Sequence, residues 1–413
     1  MMKKVLLISV ILLIIKTGSG QSPLPRFADP VRLDNKINTD AEESMPVLTS
    51  DGGTMYFVRT FYNRNNGGKE AGQDIWRSSG SKSAWAEAEN NVFNLNNNNN
   101  NAVVGVSRDG KRLYLLNQYV WKDKMKAGIS VYEPGKTESP VPLDIPGLDP
   151  QSDFYGFYMH PDENILLISA KLENSLGEED LYVSLKINDK WSSPVHLGST
   201  VNTGNFDISP FLSDDTRTLY FATAGRGGLG SADIFMSTRL DDTWKKWAPP
   251  VNLGNKINSR GFDAYYFMQG NNIWFSSNRS SEMSDIYFTR IMSKEELEAM
   301  LPKPLTIYFK LNSYMISGES KPVMEEVVKI LEQNQELKVI ITGYTCSIGN
   351  ENQNQKLSEM RAGSAMDFLL AYGIGVDRIE IGAVGESKAG LADQSEEVQK
   401  MFRKVEIRFD YLY

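Results

Sequence analysis

Five copies of a hairpin pattern between residues 44 and 290, a short phrase that closes the repeats but also stands ahead of the first one, and a switch to alternating strand and helix patterns after residue 304 predict the fold class. The expected architecture is an all-β five-bladed β-propeller followed by an α+β domain of order β-α-β-α-β-β. Residues 1–20 read as a signal peptide, 27–292 as the propeller closed by an N-terminal strand, 293–303 as a short helical linker and 304–413 as the α+β domain.

A chain of 413 residues exceeds one ordinary core, and 41% hydrophobic with 23% charged residues is a globular composition. The net charge of −8, with no Lys/Arg cluster after the N-terminal region, excludes a nucleic-acid footprint and makes an anionic polymer an unexpected partner. A single cysteine, Cys346, rules out an internal disulfide framework. With His160 and His196 as the only histidines, a metal site or a catalytic triad is poorly supplied, and no cofactor is expected.

Lys3 and Lys4 precede an apolar run from Val5 to Ile15, and Gly18 and Gly20 stand at the small-residue positions of a cleavage site before Gln21. That is the pattern of a secretory signal. The run is shorter than the roughly 20 apolar residues of a spanning helix, and no later segment is long enough either, so no transmembrane segment is expected in the mature chain. A lipoprotein needs a cysteine at the cleavage point; Cys346 is far downstream, so no lipid anchor is expected.

The hairpins are written in 44–59, 102–117, 157–169, 208–223 and 265–277, each an alternating apolar stretch, a polar turn and a second stretch rich in aromatics or leucines. Third strands follow at 74–79, 129–133, 180–185, 233–238 and 285–290. Closing phrases are PVPLDIPGL (140–148), PVHLGSTVNT (194–203) and PPVNLGNKINS (249–259), with a degenerate version at 91–100. Four strands per repeat is the content of a propeller blade. The phrase PVRLDNKINT (30–39) precedes the first hairpin, and the fifth repeat has none of its own, so the N-terminal strand is expected to complete the last blade and remove two exposed edges.

Asp51, Asp109, Asp162 and Asp214 recur in the hairpin turns, and Asp74, Asp180, Asp233 and Asp285 open the third strands. Calcium ligation or acid catalysis is one reading, but a residue present in every repeat serves the repeat, by accepting from local main-chain N–H groups. The asparagine run 96–101 reads as a solvated connection, and GRGGLG (225–230) as a hairpin connection, since it lacks the strand-to-helix setting of a phosphate loop. These repeats resemble the WD-like propeller repeats of periplasmic proteins related to the TolB propeller. No G-x-S-x-G is present, so a serine hydrolase is not supported; a glycan-active propeller with unrepeated axial carboxylates remains an alternative.

Ser293 with Glu296 three residues later is a capping box that predicts a short helix, stopped by Pro302 and Pro304. Strands are expected at 304–311, 337–343, 378–385 and 403–412, and helices at 319–334 and 354–373, the latter ended by Gly373. On the phrases YFKLNS (308–313), GYTCSIG (343–349), NQKLSEMRA (354–362), GIGVDRIEIGAVGES (373–387) and RKVEI (403–407), this stretch resembles the OmpA-like peptidoglycan-associated domain.

That resemblance implies a pocket for the diaminopimelate of a peptidoglycan stem peptide, with arginines on the carboxylate and aspartates on the ammonium. Arg361 and Arg403 match the carboxylate grip, and Asn354 and Thr345 match polar lining positions. The chain departs from the family at Cys346 and Lys310, which stand where acids are usual, and at Phe402, which replaces an asparagine. A lysine there would repel the ammonium, and losing both acids removes bonds typically worth about 1.5–3 kcal/mol each. Arg361 has a second reading, an ion pair with Glu351, Glu359 or Glu406. Cys346, if exposed, could form an intermolecular disulfide; otherwise it is an inert thiol.

The chain looks like the propeller-plus-OmpA proteins of Gram-negative envelopes, some of which serve type IX secretion. The expectation is a non-enzymatic, periplasmic, outer-membrane-associated scaffold that binds an envelope protein through the propeller and peptidoglycan through the C-terminal domain. The competing expectation is an adaptor that no longer contacts the wall.

Overall fold

The computed structural model describes residues 24–121, 124–348, 350–386 and 395–412. The signal-peptide reading of residues 1–20 lies outside them. The chain divides into two compact units, Met1–Met292 and Ser293–Tyr413.

The first unit is mostly β. Among its described residues are five antiparallel sheets, each beginning with a hairpin. The hairpins are Glu42–Leu48 with Thr54–Thr60, Val103–Val106 with Leu113–Trp121, Tyr155–Met159 with Ile165–Ala170, Asp207–Leu212 with Thr218–Thr223, and Asp263–Gln269 with Asn272–Ser277. A third strand pairs with each: Gln73–Ser81, Lys124–Tyr132, Asp180–Ile187, Asp233–Thr238 and Asp285–Arg290. The first strands adjoin one another in chain order, and that of the fifth sheet adjoins that of the first.

The last sheet is completed from the other end of the unit. Val31–Arg32 pairs antiparallel with Asp285–Arg290, Val31 opposite Phe288 and Arg32 opposite Tyr287. Further main-chain bonds run from Ala28 to Arg290 and from Leu33 to Ile286.

Four of the five sheets have an aspartate near the start of the third strand, and the residue after it, Ile75, Leu181, Ile234 or Ile286, is fully covered. Four asparagines lock these positions. Asn38, Asn96, Asn202 and Asn258 each accept from and donate to the main chain of one residue, respectively Ile286, Ile75, Leu181 and Ile234. A side-chain amide has one acceptor and two donors, so it stands in for a missing strand neighbour at the end of the ladder.

The aspartates bond locally as their repetition implies. Asp74, Asp180 and Asp233 accept from the N–H groups of Asn66, Leu176 and Leu229. Gly228 lies so close that a Cβ there would sit 1.5 Å from an Asp233 oxygen. In the turns, Asp51 accepts from Thr49 and Gly53, and Asp109 from Ser107 and Lys111. Two of the expected turn acids act differently. In the fourth sheet Asp215, not Asp214, takes the turn bonds, from Ser213, Arg217 and Thr218. Asp162 and Asp214 both accept from Arg108 instead. The acid that serves the turn stands two residues after the Ser or Thr, and Asp214 is only one after.

The closing segment of the first sheet also differs from expectation. Ala84–Trp85 and a bridge from Arg77 to Glu89 extend the sheet, not 91–100. The asparagine run is a built corner and not a solvated link: Asn96 clamps Ile75, and Asn101 is fully buried, donating to the carbonyls of Asn97 and Asn99.

The second unit opens with helix Lys294–Met300, whose Ser293–Glu296 capping box is present in both directions. Its sheet runs in the order Leu305–Tyr308, Lys404–Tyr411, Leu337–Thr345, Ile379–Glu386, with only the last pair parallel. Alternate residues of the central strands, Val339 and Ile341 with Val405 and Ile407, are fully buried. They form one core with Met324, Val327 and Leu331 of helix Lys321–Gln333 and with Ala362, Ala365 and Leu369 of helix Glu351–Ala371. Gly373, at φ 84°, ends the longer helix as expected. The order β-α-β-α-β-β omits two short elements, the 3-10 turn Val376–Arg378 before the third strand and helix Glu396–Met401 before the last. Six residues are too few for a 3.6-residue periodicity to register.

Candidate ligand site of the C-terminal unit

Strand Leu337–Thr345 and helix Glu351–Ala371 meet closely because Gly343 has no side chain; a Cβ there would lie 2.0 Å from the Ser358 carbonyl oxygen. Ser358, one turn ahead of Arg361, also accepts from the Gly385 N–H through its hydroxyl at 3.1 Å. The helix is thereby pinned, and Arg361 is driven into the unit with no exposed surface.

Arg361 donates to three main-chain carbonyls: from Nε to Ser313 at 2.9 Å, from Nη1 to Tyr344 at 2.9 Å and from Nη2 to Lys310 at 3.2 Å. Its guanidinium lies 5.2 Å from the centre of the Phe309 ring. Burial lowers its pKa to about 10, with Cys346 opposing that shift and Arg403 adding to it. The expected ion pair with Glu351, Glu359 or Glu406 is replaced by these carbonyls. Arg361 ties the loop after the first strand to the end of the second.

Arg403 stands just before the last strand, its side chain 5% exposed. Nη2 donates to Glu396 at 2.8 Å, while Nε and Nη1 are buried with no partner among the described residues. Burial works to lower its pKa, but the hydrogen bond and charge of Glu396, with a contribution from Cys346, raise it overall. Thr345 is buried too, and its hydroxyl is likewise unpartnered. Buried polar groups in folded proteins are nearly always paired, so two guanidinium nitrogens and a hydroxyl left open call for an acceptor.

Cys346 is buried in the neighbourhood of Arg361 and Arg403. Burial sets aside the intermolecular disulfide, which needs an exposed thiol. Asn354 is buried on the helix seven residues before Arg361. The Lys310 side chain is exposed, and only its carbonyl joins the cluster. Phe402 is half-buried at the end of helix Glu396–Met401.

Glu396 and Gln399 were not legible as site residues. Gln399 is fully buried and accepts from the Ser347 N–H at 3.0 Å, fastening the short helix to the segment after Thr345. No cluster of metal-ligating side chains occurs among the described residues. No helix among them is long and apolar enough to cross a membrane.

A sheet with two helices packed on it and an arginine-lined cluster where strand ends meet define a small α+β domain. Residues 308–403 match the OmpA family, so the C-terminal unit carries an OmpA-family domain. The chain is 32% identical over 85 residues to outer membrane protein A of Serratia marcescens, covering 20% of this chain and 24% of that protein. It is 27% identical over 134 residues to the peptidoglycan-associated lipoprotein of Buchnera aphidicola, covering 32% of this chain and 72% of the relative. Against the crystal structure of the peptidoglycan-associated lipoprotein from Burkholderia pseudomallei the identity is 20% and the TM-score 0.25, over 25% of this chain and 89% of that one. The chain thus spans about a quarter of the length of the outer membrane protein A it matches.

Proposed function

We propose that the chain is a non-enzymatic scaffold of the Gram-negative cell envelope, exported by a signal peptide at residues 1–20 and working in the periplasm at the outer membrane. Its first part, 27–292, is a five-bladed β-propeller closed by the N-terminal strand, and it binds an envelope protein. After the 293–303 linker, the domain 304–413 docks on the stem peptide of peptidoglycan. In that role the chain supports outer-membrane secretion or envelope integrity.

The observation that carries the wall-binding reading is the buried Arg403 side chain, whose Nε and Nη1 meet no nitrogen or oxygen acceptor among the described residues, together with the open, buried Thr345 hydroxyl. A forked guanidinium with free N–H groups suits a carboxylate, and a peptidoglycan stem peptide supplies several. In this reading Arg403 grips the carboxylate, Thr345 and Asn354 line the pocket, and Arg361 contributes mainly by holding three carbonyls in place. For the propeller, the support is the five sheets with cyclically adjoining first strands and the N-terminal strand on the last of them.

The second reading, an adaptor without wall contact, is favoured by Cys346, which leaves the ligand's ammonium without the acid that the family provides. Sedimentation with purified diaminopimelate-type peptidoglycan separates the two. The wild-type chain should pellet, and Arg403→Ala should bind about tenfold more weakly or worse, as loss of a charge-assisted bond implies. A wild-type chain that stays in the supernatant, or equal pelleting of a folded variant, selects the adaptor.

A further inference from the structure

The first strands of the five sheets surround a cavity of about 820 Å³, within the usual range of ligand pockets. Eleven of its twenty-eight lining residues are aromatic, against 10% aromatic residues in the whole chain. Three are carboxylic, Glu42, Asp153 and Glu179, and none of the lining residues is Lys, Arg or His.

The strands are bent to make this lining. Bulges fall between Ser44 and Val47, Ile208 and Phe211, and Ala264 and Phe267. Within them Met45, Ser209 and Tyr265 take φ values of 56°, 48° and 54°, a left-handed backbone that is costly without glycine and that gathers at binding sites. All three face the cavity, and the Tyr265 N–H donates to Ser209 Oγ at 3.1 Å, tying the fourth sheet to the fifth. Phe154, 76% exposed, stands at the rim.

The carboxylates of the lining face no counter-charge among its residues. Glu42 is held by burial alone, with no side-chain hydrogen bond or ion pair among the described residues. The Glu179 carboxylate is buried and, among the described residues, accepts from the Ser152 hydroxyl at 3.2 Å. Aromatic faces attract cations through their quadrupole, and carboxylates without counter-charges do the same. An anionic ligand is disfavoured by both, whereas large apolar side chains gain from the walls.

We propose that this cavity receives a segment of a partner polypeptide that inserts a large aromatic or apolar side chain with a lysine or arginine beside it, the cation lying against Glu42. This rests on the reading that the first unit binds a protein and adds where and by what chemistry it does so.

The test titrates the full-length mature chain calorimetrically with acetyl-Gly-Lys-Trp-Gly-amide, its Glu-Trp and Lys-Ala counterparts, and chitotetraose. The Lys-Trp peptide should saturate the protein, with the Glu-Trp and Lys-Ala peptides at least about tenfold weaker. Glu42→Gln should weaken the Lys-Trp peptide by a similar factor while the melting curve stays as in wild type, and Phe154→Ala should weaken every tryptophan peptide. Absence of saturable Lys-Trp binding, equal binding of the Glu-Trp peptide, or binding of chitotetraose alone overturns the proposal. A photocrosslinking residue in living cells, placed at Phe154 or at Val251 on an outer strand, separates the layers. Crosslinks from Val251 only overturn the cavity proposal and leave the partner reading standing; crosslinks from neither remove both.

Discussion

Arg32 Nε and Nη2 each donate to the carboxylate of Asp285, at 2.7 and 2.6 Å, across 253 residues of sequence. The hydrogen bond to Asp285 is the main reason the Arg32 pKa is raised, against a smaller penalty from burial. Arg32 ends the two-residue strand that completes the last sheet, so this pair joins the beginning of the first unit to its end. Asn38 makes the same junction from a fully enclosed position, accepting from the Ile286 N–H at 2.8 Å and donating to its carbonyl at 2.9 Å.

The two contacts should differ in weight. The Arg32 side chain is 40% exposed, so Arg32→Ala is expected to cost no more than about 1 kcal/mol after solvent screening. Asn38→Ala leaves the buried Ile286 N–H unpaired, although the Ile286 carbonyl keeps the Leu33 N–H, and should cost more, about 1–3 kcal/mol. Urea melts of the two variants, followed by tryptophan fluorescence, check the order.

Stability should fall as pH rises through the lower part of the acid range because of Asp207. Burial pushes its carboxyl up to about 6, against partial relief from hydrogen bonds with Thr223 and Thr203. Between an unfolded value of about 3.9 and about 6 the folded chain keeps a proton that the unfolded chain has lost, so folding loses ground over that window and is level above it. The loss is on the order of 2–3 kcal/mol. In Asp207→Asn this part of the pH dependence should vanish, as measured by denaturant midpoints at pH 4, 5, 6 and 7.

Arg361 is expected to behave as a structural residue of the second unit. Arg361→Ala removes the donors to three carbonyls at once and should cost about 3–5 kcal/mol. Arg361→Lys should rescue little, because an ammonium cannot span the three directions of a guanidinium fork. Differential scanning calorimetry reads this as a lowered transition for the unit containing 293–413, while the transition of the first unit stays in place.

Cys346 should resist thiol reagents in the folded chain and react on denaturation, since it is buried. The substitution Cys346→Asp puts an anion beside Arg361 and Arg403 and supplies the acceptor for a ligand ammonium. Retention on diaminopimelate-type peptidoglycan should rise by about tenfold; unchanged retention would detach this position from the ligand.

Much of this was legible in the residues. The hairpins announced themselves through apolar alternation around polar turns, and the capping box at Ser293 and Glu296 formed as written. The phrase PVRLDNKINT carried the clamp of Asn38 in its ninth position, and the copies at 194–203 and 249–259 carried the same one at Asn202 and Asn258. Asn96 does the identical job but is surrounded by asparagines, so its position in the phrase was hidden by its neighbours. Asp214 and Asp215 are chemically equivalent on paper and are separated only by a one-residue offset in the turn.

Arg361 and Arg403 were singled out by their setting in the sequence, but what they touch was not legible there. Arg361 is satisfied by carbonyls of Lys310, Ser313 and Tyr344, and every residue has a carbonyl, so such partners leave no trace in side-chain types. Glu396 and Gln399 sit on a helix too short for periodicity, although acids in its first turn and Lys400 in its last fit the helix dipole.

The most direct test of the wall-binding account is calorimetric titration of a soluble diaminopimelyl stem peptide into the full-length mature chain and into Arg403→Ala. One saturable site in the wild type, weakened by about tenfold or more in a variant that melts as a folded protein, is the predicted result. No heat of binding in the wild type, or the same affinity in both, would contradict it.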